Sequence, residues 1–405
     1  MHLAHLSITN FRNYVRSELD FSSRITIVQG ANAQGKTNLL EAVYYLAAAE
    51  SPRARSDREL INWLANEEHP PYARLEGRIE GSDAVREVSI ALVNASDRLQ
   101  KEIRINGVKR RTVDLAGQLK VVLFMPEDID LIAGSPEARR RYLDTAISQI
   151  DRHYARSLHE YNRVLAQRNS LLRQLRERST DPHQLEFWDE RLTEQGSRLI
   201  AGRLNAVAQL DELVQHIHSR LTGGSERLHL VYRSSLPLDG PDGLVQHRQL
   251  PLEAAGGDVD SLARLAPSSA SVKALFRQQL KDRRGEEIDR GMTLSGPHRD
   301  DLRFLVGGVD MCTYGSRGQQ RTIAVSLKLA EMELIRSQTG EEPILLLDDV
   351  MSELDEERRR YLMEAVHGDQ QVIITTTDLD SFDHRFLEQG TVWAIDGGRI
   401  EKLDS

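Results

Sequence analysis

Apolar and polar positions alternate in three short runs at the start of the chain, "HLSITNF", "SELDF" and "RITIVQ". This period of two predicts β-strands through residue 30. The period then changes: Leu39, Leu40, Val43, Tyr44 and Ala47 recur at helical spacing, so a helix follows the third strand. Alternation returns over 72–122 ("ARLEGRIEG", "REVSIALV", "KEIRINGVKR") and predicts an antiparallel sheet of hairpins, the Asn-Gly pair marking a turn. From about 136 the pattern lengthens. Ser135 is placed to cap a helix with Pro136 at its first position. Leu143, Ile147, Ile150, Tyr154, Leu158, Tyr161, Leu165, Leu172 and Leu175 then step by threes, fours and sevens. The turn "STDPH" interrupts this stripe, and a second runs from Leu185 through Trp188, Leu199, Val207 and Val214 to Leu221. The pair predicts a helical hairpin with arms of roughly 60 Å at 1.5 Å per residue; two long helices in a compact bundle would show the same stripes. Residues 237–270, rich in Gly, Pro, Ala and Ser, predict a loop or mobile insertion. From 302 strands and helices resume: "LRFLVGG", a helix from 316, the strand "PILLLDD", a helix from 352 and the strand "QVIITTT".

Chemistry enters where the third strand meets the first helix. "GANAQGKT" (residues 30–37) fits the phosphate-gripping pattern G-x-x-x-x-G-K-[ST] in the strand–helix context it requires. The backbone of Gly30, Ala31, Asn32, Ala33, Gln34 and Gly35 is expected to wrap the phosphates of ATP. Lys36 would reach the β- and γ-phosphates and the Thr37 hydroxyl would bind Mg²⁺. A second acidic site ends the run "ILLLDD", whose four apolar residues predict a buried parallel strand. Asp348 at its C-terminal end would hold Mg²⁺ through water, and Asp349 would polarise the attacking water. Ser352 and Asp355 form an S-x-x-D pattern for the next helix start. Lys36 and Asp348 lie 312 positions apart yet must meet around one Mg²⁺, so the ATPase is split and the helical hairpin is an insertion in it. Between the halves lies "YGSRGQQRT" (residues 314–322). Ser316 is placed to cap a helix, Gly318 permits close backbone approach, and such a helix start favours anions.

Composition narrows the partners. The chain has 405 residues, room for two or three domains, with 40% hydrophobic and 28% charged positions. No run approaches 18 apolar residues, the N-terminus lacks a secretory layout, and Cys312 is the one cysteine, which suits a reducing cytoplasm. A net charge of −9 speaks against nucleic acid, except locally. Residues 131–180 hold ten arginines against five acids, a balance of +5 that leaves −14 for the rest. Arg139, Arg140, Arg141, Arg152 and Arg156 lead this run, and "PRAR" (52–55) and "KRR" (109–111) are further basic candidates. Such asymmetry is the footprint of a protein that reads duplex phosphates without reading sequence; a solvated helix face gives the same count. The 5% aromatic content offers little for stacking single strands, which favours duplex, gapped DNA or a junction with single strands.

The order of P-loop, helical insertion, Ser-x-Gly-Gln, strand-Asp-Asp and "SELD" resembles the ATP-binding-cassette ATPases, and among them the heads of chromosome-maintenance and break-repair proteins. Along nearly the whole chain, "LSITNFRNY", "GANAQGKTNLLEA", "FMPEDIDLIAGSPEARRRYLD", "SGPHRDDL", "YGSRGQQRT" and "LLLDDVMSELD" resemble the RecF family of bacterial recombination-repair proteins. The resemblance implies an α/β P-loop head, a mixed sheet plus an antiparallel subdomain, with an inserted α-helical arm. Its segments would be 1–130 (head, P-loop half), 131–290 (arm) and 291–405 (head, signature and acid-strand half). It implies that Ser316, Gly318 and Gln319 contact ATP bound by a second subunit, so that ATP drives a homodimer around DNA and hydrolysis releases it. It further implies a nucleotide contact by Arg12, partnership with RecO and RecR in loading RecA, support of the SOS response, and a cytoplasmic, nucleoid-associated location without membrane attachment. Asp349 stands where cassette ATPases usually carry Glu, and Thr375–Thr377 stand where many relatives carry a histidine. A weak, DNA-stimulated ATPase used as a switch is therefore expected. Glu127 and Asp128 are candidates for the missing lid glutamine, and "SGPHRDDL" has no assigned chemistry. A chromosome-organising head or a transporter motor would share these motifs, though the arms here are tens of residues long.

Overall fold

The computed structural model describes residues 1–67, 70–81, 84–95, 98–178, 181–238, 244–245, 268–365, 370–380, 382 and 384–403; most of the expected insertion at 237–270 lies outside them. The chain forms two compact units, Met1–Asp128 with Lys328–Ser405, and Ile129–Leu327 between them.

The first unit holds two sheets. One is antiparallel, ordered Tyr14–Asp20, His2–Phe11, Tyr72–Glu80, Val85–Ala95, Arg98–Ile105 and Val108–Arg110. Its middle strands alternate buried and exposed residues, as a sheet with one covered face must. The other is mostly parallel, ordered Arg399–Lys402, Gly390–Asp396, Ile25–Gln29, Val372–Thr376, Ile344–Asp348 and Val121–Phe124. "ILLLD", "VIITT" and "VVLF" are buried at every position, which only a strand covered on both faces tolerates. This corrects one expectation: residues 72–122 do not form one sheet, because the non-alternating Val121–Phe124 pairs in parallel with Ile344–Asp348. The helix Lys36–Ala48 packs against strands of both sheets, and one core joins Leu6, Leu75 and Ile90 to Leu40, Val43, Leu346 and Ile373.

The second unit is a helical arm closed by a small sheet. Arg152–Glu177 and Leu185–Leu221 pack along each other as the expected hairpin. The first arm is shorter than its stripe suggested. Asp151 is extended and caps the helix Arg152–Glu177 through His153 N at 2.7 Å, so Pro136–Ile150 is a separate helix. The strands Leu228–Arg233, Asp301–Val306, Val309–Asp310 and Leu244–Val245 make one sheet. The pairing of Leu228–Arg233 with Asp301–Val306 joins residues 291–327 to the arm's unit, whereas the sequence grouped them with the C-terminal half of the head. The helix Arg317–Thr339 then carries the chain from the second unit into the first.

Candidate nucleotide site and signature helix

The P-loop leaves the parallel sheet at Gln29 and enters the helix at Lys36. Two of its positions admit only glycine. A Cβ on Gly30 would stand 2.6 Å from Ile395 O, and Gly35, at φ 114°, would drive one into the Asn13 amide at 2.5 Å. The loop is also held from outside. Tyr14 Oη donates to Gly35 O at 2.9 Å, Asn13 Nδ2 to Gln34 O at 2.9 Å, and Gly398 N to the same carbonyl at 3.0 Å. Gly397 N reaches Gln34 Oε1 at 2.6 Å, so the turn between the last two strands clamps the loop. Lys36 Nζ donates to Gly30 O at 2.5 Å and Ala31 O at 3.2 Å, curling back on carbonyls along the rim a phosphate would occupy. Burial pulls this ammonium below the ordinary lysine range, opposed by the charges of Asp349 and Asp348.

The acid strand meets the loop as its spacing required. Thr37 Oγ1 donates to Asp348 Oδ1 at 3.0 Å, a contact spanning 311 positions. Thr375 Oγ1, from the strand between them, donates to the same oxygen at 2.8 Å and accepts from Asp349 N at 3.0 Å. Asp349 itself stands in the left-handed region at φ 50°. Burial raises the Asp348 carboxyl above the usual carboxylate range; Thr37, Thr375 and Arg53 oppose that shift, and Glu127 adds to it. Asp128, the other lid candidate, is buried, accepts from Met125 N at 2.8 Å and lies 3.8 Å from Lys328. A hydroxyl and a carboxylate oxygen in contact suit a Mg²⁺ completed by phosphate and water. Among the described residues no cluster of three or more His, Cys, Asp or Glu could cage a metal alone.

In the second unit Ser316 and Gln319 cap the signature helix reciprocally. Gln319 N donates to Ser316 Oγ at 3.2 Å, and Ser316 N to Gln319 Oε1 at 3.0 Å. This helix start is exposed: Tyr314 is 75% accessible, and a Cβ on Gly318 would meet nothing within 4 Å. Arg12 is engaged within the first unit. Its guanidinium forms two 2.8 Å bonds to the buried Glu41 and one of 3.1 Å to Glu59 O, and Glu41 also accepts from Ser51.

The model of the RecF/RecN/SMC N terminal domain family matches residues 2–389. The DNA replication and repair protein RecF of Chloroflexus aurantiacus is 41% identical over 99% of both chains. The chain belongs to the RecF family. The RecF of Bacillus subtilis is 38% identical over 99% of this chain and all of its own. A solved structure of the recombination mediator protein RecF with ATP, described as acting in the RecFOR pathway, superposes with a TM-score of 0.83. It is 31% identical, and the match covers 100% of this chain and 98% of that one. No helix among the described residues is long and apolar enough to cross a membrane.

Against this RecF-family frame the arginine run separates into inside and outside. Arg139 was expected on DNA; it is 3% exposed, with Nε and Nη2 on Asp301 at 2.7 and 3.0 Å and Nη1 on the carbonyls of Ile132 and Gly134. No face of that guanidinium is left for a phosphate. Arg140 is partly buried, with Nη1 on Asp300 O at 2.8 Å. Arg168, counted in the basic run, is fully buried between Asp189, Glu287 and Thr293. Arg141, Arg152 and Arg156 are exposed. "PRAR" puts Arg53 and Arg55 at the surface of the first unit, and in "KRR" Lys109 pairs with Glu102 and Arg111 with Asp114.

"SGPHRDDL" now has a role, which the sequence did not disclose. It is the buried knot of the second unit. Asp300 accepts from Tyr232 Oη at 2.5 Å and Ser235 N at 2.7 Å, and Arg203 Nη1 donates to Pro297 O at 2.6 Å while its other nitrogens hold Asp144. His298 takes the Tyr161 hydroxyl on Nδ1 at 2.7 Å and donates from Nε2 to Thr293 O at 3.2 Å. The missed residues of the nucleotide site are Asn13, Tyr14 and the Gly397–Gly398 turn, and Thr375 was named there without its bond to Asp348. Thr375 stands in the run where many relatives carry a histidine, but its bond to Asp348 left no mark beyond its place at the C-terminal end of an apolar strand, the position Asp348 holds on its neighbour.

Proposed function

We propose that this chain is an ATP-dependent DNA-binding protein of recombinational repair and replication restart. The P-loop would hold ATP and Mg²⁺, the backbone N–H groups of 31–36 and Lys36 taking the phosphates and Thr37 with Asp348 the metal. Mg²⁺ supplies charge neutralisation of the phosphates. Thr37 and Lys36, which here bond Asp348 and Gly30 O, are the groups that would turn to the metal and the phosphates, and Thr375 would keep hold of Asp348. The helix led by Ser316, with Gly318 and Gln319, closes on the γ-phosphate bound by a second copy, so ATP joins two chains around duplex or gapped DNA. Asp349 orients the attacking water, and its short side chain makes hydrolysis a slow release step that DNA stimulates. Arg12 acts through Glu41, bracing the helix behind the loop. RecO and RecR are the partners in loading RecA at gaps, in the cytoplasm. The RecFOR context belongs to the solved relative and is carried here on the full-length similarity.

The observation that carries this reading is the open helix start. A glycine inside the first turn costs about 1 kcal/mol relative to alanine, yet Gly318 has empty space around it in its own chain. A ligand arriving from outside gives that glycine a purpose. The test is sedimentation of wild type and Ser316→Arg with gapped DNA, with and without ATP. Wild type should dimerise and retain DNA in ATP while the variant stays monomeric. A variant that still dimerises removes the helix from the interface.

A further inference from the structure

The signature glutamine does not stop at its cap. Gln319 Nε2 donates to Glu226 Oε1 at 2.8 Å, and the other oxygen of Glu226 lies 3.0 Å from His218 Nε2. His218 Nδ1 is in turn 3.0 Å from Ser326 Oγ, one helical stretch further along the signature helix. His218 and Ser326 are fully buried, whereas the Glu226 side chain is 23% exposed in the turn after the helix Leu185–Leu221. The chain of contacts therefore leaves the signature helix at Gln319, passes through the end of the long arm helix, and returns to the signature helix at Ser326.

Donor and acceptor chemistry fixes this arrangement. Ser316 N is only a donor, so it takes the Gln319 carbonyl; Glu226 is only an acceptor, so it takes the amide nitrogen. That rules out the flipped amide. Ser326 Oγ donates to Thr322 O at 2.8 Å, which leaves its lone pair for His218 Nδ1. Glu226 Oε2 accepts from His218 Nε2, which ties the imidazole to the carboxylate that holds Gln319. Gln319 keeps its second Nε2 hydrogen for a ligand.

We infer that Glu226 and His218 are positioning residues for the signature, holding the Gln319 amide in the orientation that meets the trans nucleotide. The inference rests on the proposed closure of this helix over a second copy's ATP. Neither residue belongs to the P-loop's unit, so nucleotide capture by the monomer should not depend on them.

Glu226→Ala is the informative change. It removes the acceptor of both Gln319 Nε2 and His218 Nε2, whereas the oxygen and nitrogen of an amide there would still accept from Gln319 and donate to a neutral imidazole. Three quantities are measured on the full chain: ATP binding by the monomer, the ATP-dependent dimer dissociation constant by sedimentation, and the melting temperature. The lost bonds lie within one chain, so their direct cost is a modest drop in melting temperature; release of the Gln319 amide from its orientation weakens the ATP-dependent dimer by about tenfold or more, with ATP binding by the folded monomer unchanged. His218→Gln, which interrupts the same chain one step later, should show the same split. Dimerisation of both variants at wild-type strength overturns the positioning role alone. Loss of ATP binding by the monomer together with loss of dimerisation in both variants assigns the pair to folding of the whole chain and overturns it too. Failure of wild type itself to dimerise with ATP overturns the reading beneath it.

Discussion

Asp348 is held in a condition that suits a metal and not an empty site. It is 5% exposed, it accepts two hydroxyls on one oxygen, and its burial favours the protonated form. A carboxyl raised above its unfolded value contributes stability that is present at low pH and lost as pH rises through the raised value. At neutral pH the charge is thus a burden on the nucleotide-free protein. An asparagine in its place would keep both bonds, since Thr37 and Thr375 share Oδ1, and would discard the charge. Asp348→Asn should therefore melt above wild type without nucleotide at pH 7, and the gap should shrink as the buffer is acidified. Mg²⁺-dependent hydrolysis should fall to background in the same protein. A variant that melts lower at pH 7 would mean that Asp348 is stabilised as an anion by its neighbours. The residues of this site differ in how far sequence disclosed them. Lys36 and Thr37 follow from eight consecutive letters, and Asp348 from an apolar run. Thr375 did not, because its bond to Asp348 depends on which strands lie side by side, and parallel neighbours leave no local mark.

Elements were legible where their period was local and obscured where a cap or a distant partner decided. The P-loop strand and helix, the hairpins over 72–105 and the long helix Leu185–Leu221 all stand where their patterns put them. The break at Asp151 was hidden because the apolar stripe continues across it, and a single capping side chain ends one helix and starts the next. The turn "SGPHRDDL" shows the other limit. Its charged letters suggest a surface, and Arg299 is exposed, yet Asp300 and Asp301 are buried, and the partners around the motif, Tyr161, Arg203 and Tyr232, come from distant elements. This burial has a titration consequence. His298 accepts on Nδ1 and donates on Nε2, a neutral pattern, and burial lowers its pKa from 6.5 to about 4. The unfolded chain takes up a proton below 6.5 that the folded one refuses until about pH 4, so stability present above that window is lost on the way down through it. Denaturant titrations at pH 7 and pH 5 should show His298→Gln losing about 2 kcal/mol less than wild type on acidification. Equal losses would show that His298 is protonated in place without disturbing Tyr161.

At the scale of the whole chain, the charge count misled in one definite way. A run of ten arginines looks like a nucleic-acid face when only sequence neighbours are weighed. Arg139 finds its acid 162 positions away at Asp301, and Arg168 finds Glu287 at 119, so two of the ten neutralise buried carboxylates instead of facing solvent. Arg141 on the helix Pro136–Ile150, and Arg152 and Arg156 one turn apart on the next helix, keep exposed positions. These two groups predict opposite failures. Replacing Arg141, Arg152 and Arg156 together by Ala should lower melting far less than loss of a buried arginine, since surface ion pairs such as Arg141–Glu137 contribute little. It should lower the slope of log affinity for duplex DNA against log salt by about 2 to 3, since each lost phosphate contact removes roughly 0.9. Replacing Arg139 or Arg168 by Ala should instead strand a buried carboxylate at a cost of about 3 to 5 kcal/mol, seen as a lower melting temperature or an insoluble chain. An unchanged salt slope in the triple variant would move the DNA face off this part of the arm, and the exposed arginines of "PRAR" in the first unit would be the next to replace.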